Sequence, residues 1–222
     1  MWNLVRAELI RSKELLAIIA GASVALALGA WVYYDLLGRA TPERWNWEML
    51  SNGLGTALIP YITLHWHMVS NDQRQLRRRH WLQSGLGKGQ IGWSRNLYLL
   101  AAGPFSAVAT TLVLYAPLQV PFGQRLVLWF SIGGLSLCLA FLIRLTYQLL
   151  RPKTDYLSLV VLLLILQSNM VLQLRRNAES GEHFDHLSRQ LYTLPVCLST
   201  FALAALIAYL TQQVFVRRHQ FA

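Results

Sequence analysis

Apolar residues dominate six stretches of the chain, and short polar stretches separate them. The apolar stretches cover residues 15–37, 50–69, 97–120, 126–147, 156–174 and 191–216. A hydrocarbon core of about 30 Å requires about 20 helical residues, and each stretch is close to that length. The pattern therefore predicts an all-α integral membrane protein with six transmembrane helices, in a single transmembrane domain that covers residues 1–222.

The first residues have a different pattern from the spans. In MWNLVRAELIRSK the apolar residues recur at helical spacing, and the cationic residues lie away from them. The apolar residues are Trp2, Val5, Leu9 and Ile10, and the cationic residues are Arg6, Arg11 and Lys13. A helix with one apolar and one basic face is typical of the membrane interface. We therefore expect an interfacial amphipathic helix over residues 1–14, the alternative being a frayed polar segment that leads into the first span.

Two features predict where helices pack closely or break. Gly21, Ala25 and Gly29 are four residues apart in the first span, and such a stripe of small residues allows another helix to approach closely.

Gly103 and Pro104 lie near the start of the third span, where proline kinks or ends a helix. Phe122 to Arg125 is predicted to be a tight connection before the fourth span.

Composition supports the membrane class. The chain is 55% hydrophobic and 14% charged, whereas a soluble domain is about 25% charged. The net charge of +10 is explained by basic residues in short loops that meet anionic lipids, so we expect no nucleic-acid partner. Cys138 and Cys197 each lie in an apolar stretch, which excludes a disulfide framework.

The distribution of basic residues predicts the orientation. With six spans and the N-terminus inside, the inner segments hold about twice as many Lys and Arg as the outer segments, as the positive-inside rule requires. Both termini are therefore expected to be cytoplasmic, and the segment 175–190 becomes an outer loop. Arg144 lies near the inner end of the fourth span, and we expect its side chain to snorkel to the headgroups.

Catalytic motifs are missing from the sequence. It contains no HExxH, no GxSxG and no Walker lysine motif, and GLGKGQ lacks the GK[ST] ending of a phosphate loop. Paired carboxylates within the spans are also missing, which argues against a proton-coupled transporter. We expect no catalytic residue and no cofactor bound by this chain itself.

Two pairs of histidines are candidate metal ligands. His65 and His67 are two residues apart and face different directions on a helix, so we expect interfacial side chains beside Trp66. His183 and His186 are three residues apart and could meet one metal ion on a helical turn. Two ligands in an exposed loop are a weak metal signal, so no metal site is predicted.

A polar cluster lies in the fifth span. Its members are Gln167, Ser168, Asn169 and Gln173. Such residues either hydrogen-bond neighbouring helices together or line a transport path.

The longest polar stretch lies between the second and third spans, at residues 70–96. It reads SNDQRQLRRRHWLQSGLGKGQIGWSR from Ser70 to Arg95. Its glycines, Gly85, Gly87 and Gly89, permit a sharp turn back to the membrane. The stretch is either a solvated positive loop or a docking site for a cytosolic protein.

The order of residues in this stretch, together with the six-span layout, resembles the membrane subunit of type II ATP-binding-cassette (ABC) exporters, the transport-permease family. The residues that carry the resemblance are Asn71-Asp72, Trp81-Leu82, Ser84 to Lys88, Gln90-Ile91 and Arg95. Gly85 stands where the family usually has proline, and RRRH replaces its common Gly-Thr-Leu-Glu.

The resemblance implies a coupling helix at about residues 73–83 that docks on a separate ABC-type ATPase, which would hold ATP and Mg. The implied docking residues are Arg77, Arg78, Arg79, Trp81, Leu82, Gly85, Leu86, Gly87 and Lys88. It further implies a bacterial inner-membrane location and pairing with a second copy or a related permease. The alternative function is a non-transporting membrane anchor or scaffold that recruits a cytosolic partner.

Overall fold

The computed structural model describes residues 2–32, 47–73, 87–110, 121–150 and 193–218. Within these ranges the chain forms seven helices and no strand, which confirms the all-α prediction. The helices are α1 (Trp2–Arg11), α2 (Lys13–Trp31), α3 (Trp47–Gln73), α4 (Lys88–Leu100), α5 (Gly103–Ala109), α6 (Phe122–Leu150) and α7 (Leu194–Arg218).

Two of the helices, α6 and α7, are long and apolar enough to cross a membrane. The pair α1 and α2 meets the same criterion if its two helices, which are bent by 71°, form one broken span. These helices indicate that the protein associates with a membrane. The count of six spans and the side on which the termini lie stay predictions.

Continuous apolar stretches predicted α6 and α7 well. The expected ranges were 126–147 and 191–216, and the observed helices are Phe122–Leu150 and Leu194–Arg218. The predicted tight connection at residues 122–125 is wrong, because these residues form the first turn of α6.

Helical structure extends into the predicted loop 70–96 at both of its ends. Helix α3 continues to Gln73, and α4 begins at Lys88, nine residues before the predicted third span. The early start of α4 has a physical reason, since its first turns bury Ile91, Gly92 and Ser94 against neighbouring helices.

The predicted break near Gly103 and Pro104 is confirmed. Helix α4 ends at Leu100, a turn follows at Ala101 and Ala102, and α5 begins at Gly103 with the proline in its first turn. Proline is tolerated there because the first N–H groups of a helix have no partner within the helix.

A separate N-terminal helix is confirmed, and its position on the interface stays a prediction. Val5 of α1 is buried, whereas Trp2 and Ile10 are 67% and 59% exposed. Helix α1 packs against α4. At the corner between α1 and α2, the hydroxyl of Tyr98 on α4 donates a hydrogen bond of 2.7 Å to Ser12 Oγ.

The core is built from buried residues of α2, α3, α4, α6 and α7. Helices α6 and α7 form the most extensive helix pair in the described part of the chain. Near the start of α7 their backbones approach closely, because a Cβ atom on Gly134 would lie 2.9 Å from Thr200 Cβ. The thiol of Cys138 donates a hydrogen bond of 3.0 Å to the carbonyl oxygen of Thr200. Helix α3 packs on α6 and α5, and α2 packs on α5.

The small-residue stripe of the first span does not mediate packing between the described helices. Gly21, Ala25 and Gly29 are all exposed on α2. A Cβ atom on either glycine would meet no described atom within 4 Å. Close packing instead occurs at glycines of α4 and α6, where Thr200 and Gln212 of α7 fill the space.

Candidate functional site

Helix α4 starts directly after the basic segment 74–86, so the residues that hold its first turns are of special interest. Gly87 precedes the helix with φ −64° and ψ 145°, an extended backbone that any residue can adopt. Gly89 lies inside the helix. The predicted glycine turn is therefore wrong for these two residues, and Gly85 lies outside the described residues.

The first turn of α4 is held by Gln212 of α7. Gln212 is 4% exposed, and its Nε2 donates a hydrogen bond of 2.8 Å to the carbonyl oxygen of Gly89. Its amide group also lies against Gly92, where a Cβ atom would be 2.8 Å from Gln212 Cδ. The Oε1 atom is buried and has no hydrogen-bond partner among the described residues. Glycine at position 92 is thus required for the amide to reach its position.

The next turn of α4 is held by Asn96, which is 2% exposed. Its Nδ2 donates a hydrogen bond of 3.2 Å to the carbonyl oxygen of Ala208 on α7. Its Oδ1 accepts a short hydrogen bond from Nη1 of Arg144 on α6. One side chain of α4 therefore contacts both α6 and α7.

Arg144 is 1% exposed, so the prediction that it snorkels to the headgroups is wrong. Besides its bond to Asn96, its Nη2 lies 3.5 Å from the carbonyl oxygen of Gly92. The guanidinium group offers five N–H donors in a fixed planar arrangement, which suits acceptors from two turns of one helix. Acceptors on α4 therefore keep the side chain inside the protein.

These contacts form one unit, which we call the polar clamp. It consists of Gly89, Gly92 and Asn96 on α4, Arg144 on α6 and Gln212 on α7. A hydrogen bond to a charged group contributes about 1.5–3 kcal/mol, and removing one partner of a buried charged contact costs more than the contact contributes. The clamp thus depends on every member being present.

A second set of side chains, which consists of a histidine, an arginine and two aromatic rings, lies beside the clamp. His65 of α3 is 2% exposed and meets Tyr147 of α6 edge to face, with ring centroids 5.9 Å apart. Arg95 of α4 lies over the ring of Phe215 at 5.2 Å. This set joins α3 and α7 to the helices of the clamp.

The prediction that His65 is an interfacial side chain is wrong, because it lies in the interior. His67 is half-buried, and Trp66 is 50% exposed. The two histidines therefore face different directions, as their spacing predicts. Across the part of the chain that the structure describes, no group of three or more His, Cys, Asp or Glu side chains could hold a metal ion.

Most predicted site residues lie outside the described residues. Of the predicted docking residues, Gly87 and Lys88 are described, and both are exposed. Those outside are Arg77, Arg78, Arg79, Trp81, Leu82, Gly85 and Leu86, the polar cluster Gln167, Ser168, Asn169 and Gln173, and the pair His183 and His186.

Sequence reasoning missed Asn96 and Gln212. The signal that could have found them is an amide side chain at the edge of an apolar stretch or inside one, since such residues in membrane helices usually contact other helices. Which helix each residue faces could not be read from the sequence.

Comparison with known proteins gave no match of this chain to a family model, to a curated protein or to a solved structure.

Proposed function

We propose that this chain is the membrane subunit of an ABC exporter. It moves a substrate across the membrane with energy from ATP hydrolysis in a separate ATPase subunit. That subunit docks on the segment between α3 and α4. ATP and Mg are bound by the ATPase, and this chain supplies the path and receives the movement.

The segment between α3 and α4 carries the proposal. Helices α3 and α4 contact each other, and only residues 74–86 connect them. This connection holds three consecutive arginines, Arg77 to Arg79, followed by the apolar pair Trp81 and Leu82. Aromatic and aliphatic side chains contribute most of the binding energy at interfaces, whereas surface charges mainly steer the encounter. The composition therefore suits a docking site better than a solvated loop.

Other features agree with this role. Helix α1 is bent away from α2 and carries exposed apolar and basic side chains, which suits a helix on the membrane surface. With six spans, the positive-inside rule favours a cytosolic position for residues 74–86 and both termini. The proposed location is the bacterial cytoplasmic membrane, with a second copy or a related permease completing the transport unit.

Affinity purification from the native host tests the proposal. The tagged wild-type chain should retain a protein with Walker A and ABC signature motifs. Trp81→Ala combined with Leu82→Ala should lose that protein. Trp66→Ala is a matched control, because Trp66 is an exposed tryptophan on α3 outside the docking segment.

Other results would contradict the exporter proposal. If the wild-type chain retains no ATPase, the proposal fails. If it retains a different cytosolic protein, and the double variant releases that protein, the chain is an anchor or scaffold instead.

A further inference from the structure

We propose that the polar clamp makes α4 move together with α6 and α7, so that movement of the segment 74–86 reaches the two described helices that are long and apolar enough to cross a membrane. The claim that movement begins at the segment 74–86 rests on the proposed function. The mechanical link between the helices does not rest on it. The clamp residues assigned to this role are Asn96, Arg144 and Gln212, together with the two glycine carbonyls of α4.

The position of the clamp favours this role. Helix α4 is the first helix described after the docking segment, and its first three turns carry every clamp contact made by that helix. A displacement of residue 87 therefore meets the clamp before it reaches Leu100. Beyond Leu100 the helix is interrupted at Ala101 and Ala102, so α4 cannot pass the movement along one continuous rod.

The clamp consists of hydrogen bonds, and their dependence on distance and angle also favours this role. Apolar helix faces can slide over one another, because dispersion contacts have little directional preference. Hydrogen bonds require particular distances and angles, so they fix the register of the helices. Gln212 fixes α4 along α7, and Arg144 fixes α4 along α6. The three helices are thereby joined at two separate points of α4.

The buried position of the clamp makes these bonds strong. Gln212, Asn96 and Arg144 are each less than 5% exposed. Away from water, a hydrogen bond between a guanidinium and an amide oxygen is stronger than at the surface. An interior linkage of this kind is suited to transmit movement, whereas a surface ion pair exchanges readily with solvent.

Distance measurement between two spin labels tests the link. The labels are placed at Gln90 on α4 and Arg217 on α7, which are both exposed, in a background that lacks Cys138 and Cys197. In the purified chain without ATPase, the wild-type clamp should give a narrow distance distribution. Asn96→Ala combined with Gln212→Ala should broaden it, because the hydrogen bonds from α4 to Ala208 and Gln212 of α7 are then both lost.

Two further variants distinguish the loss of clamp bonds from a folding defect. Asn96→Ala alone removes the bond to Ala208 of α7 together with the acceptor of Arg144, and Gln212→Ala alone removes the bond to Gly89. Each should broaden the distribution less than the double variant. Ser94→Ala is the matched control, since the buried Ser94 hydroxyl donates to Ile91 of its own helix and should leave the distribution narrow. A distribution that stays narrow in all three clamp variants would overturn the proposal.

The complex with the ATPase tests the claim that movement begins at the segment 74–86. In the wild-type complex, trapping the nucleotide-bound state should leave the distance between positions 90 and 217 unchanged. In the variant that combines Asn96→Ala with Gln212→Ala the ATPase should still bind, but nucleotide should now shift this distance because α4 is no longer bonded to α7 at these points. An unchanged distance in this double variant would overturn transmission through the clamp. If no ATPase binds the wild-type chain, the exporter proposal fails while the measurement on the purified chain still decides the link.

Discussion

Helix α7 contacts its neighbours in two different ways. Near its start, Thr200 faces Gly134 of α6, and the missing side chain of the glycine lets the two backbones approach closely. Near its end, Gln212 hydrogen-bonds the first turn of α4. The contact at Gly134 depends on the absence of a side chain there, and it sets the distance between α6 and α7. The contact of Gln212 depends on a hydrogen-bond acceptor, and it sets the register of α4 along α7. The two contacts should therefore respond differently to substitution.

The largest effect is expected at the close contact. In Gly134→Leu the new Cβ would lie 2.9 Å from Thr200 Cβ, and neither backbone can give way without separating α6 from α7. Overpacking of this kind destabilises by about 3 kcal/mol, so the thermal unfolding midpoint in detergent should fall strongly. Gly133→Leu is the matched control, because a Cβ there meets no described atom within 4 Å. Equal losses in the two variants would contradict the shape-dependent contact.

A somewhat smaller effect is expected at the polar clamp. Asn96→Ala removes the acceptor of Arg144 and the donor to Ala208, which leaves a buried cation with fewer partners. The expected cost is about 2–3 kcal/mol, compared with about 1 kcal/mol for Ser94→Ala, which loses a bond within α4. Thermal unfolding of both variants measures the difference. If they unfold at the same temperature, Arg144 does not depend on Asn96.

A third substitution, Gly92→Ala, tests whether the amide of Gln212 depends on the space at position 92. In Gly92→Ala the new methyl group meets the amide of Gln212, which is the flexible end of a side chain and can move. The bond to Gly89 is then lost, at a cost of about 1 kcal/mol. Gly89→Ala is the control, since its Cβ would lie 3.8 Å from Gln212 Nε2, an ordinary contact.

Adding Gln212→Ala to Gly92→Ala should cost less than the sum of the two single changes, because the clash has gone. Thermal unfolding of the single and double variants measures this difference. Strict additivity would show that the two residues do not interact.

The smallest effect is expected at the corner between α1 and α2. Tyr98→Phe removes the hydrogen bond to Ser12 and should cost about 0.5–1 kcal/mol. Proteolysis or hydrogen exchange of α1 should increase more than the global stability falls. Tyr209→Phe, at a half-exposed tyrosine of α7, should change neither quantity. Unchanged exchange of α1 in Tyr98→Phe would mean that this bond does not hold the corner.

The sequence predicted the parts of the fold that depend on continuous apolar composition. Helices α6 and α7 were placed within a few residues, because unbroken apolar stretches of that length suit a bilayer. The break before Gly103 was predicted because proline restricts the backbone locally. Both signals are contained in a single segment of the chain.

The start of α4 and the place of Arg144 could not be predicted in the same way. The buried face of α4 includes Gly92, Ser94 and Asn96, which have the composition of a loop. Groups supplied by other helices, α6 and α7 among them, make that face an interior one. Arg144 lies close enough to the end of α6 to reach the headgroups, and its true position depends on acceptors that are distant in sequence.

The central claim is that the segment between α3 and α4 docks on an ABC-type ATPase. The most direct measurement places a photo-reactive amino acid at Trp81 in living cells and identifies what it cross-links. The same amino acid at Trp66 is the control. We predict that position 81, and not position 66, captures a protein with Walker A and ABC signature motifs. Cross-links from position 81 to lipid alone, or to a protein without these motifs, would contradict the account.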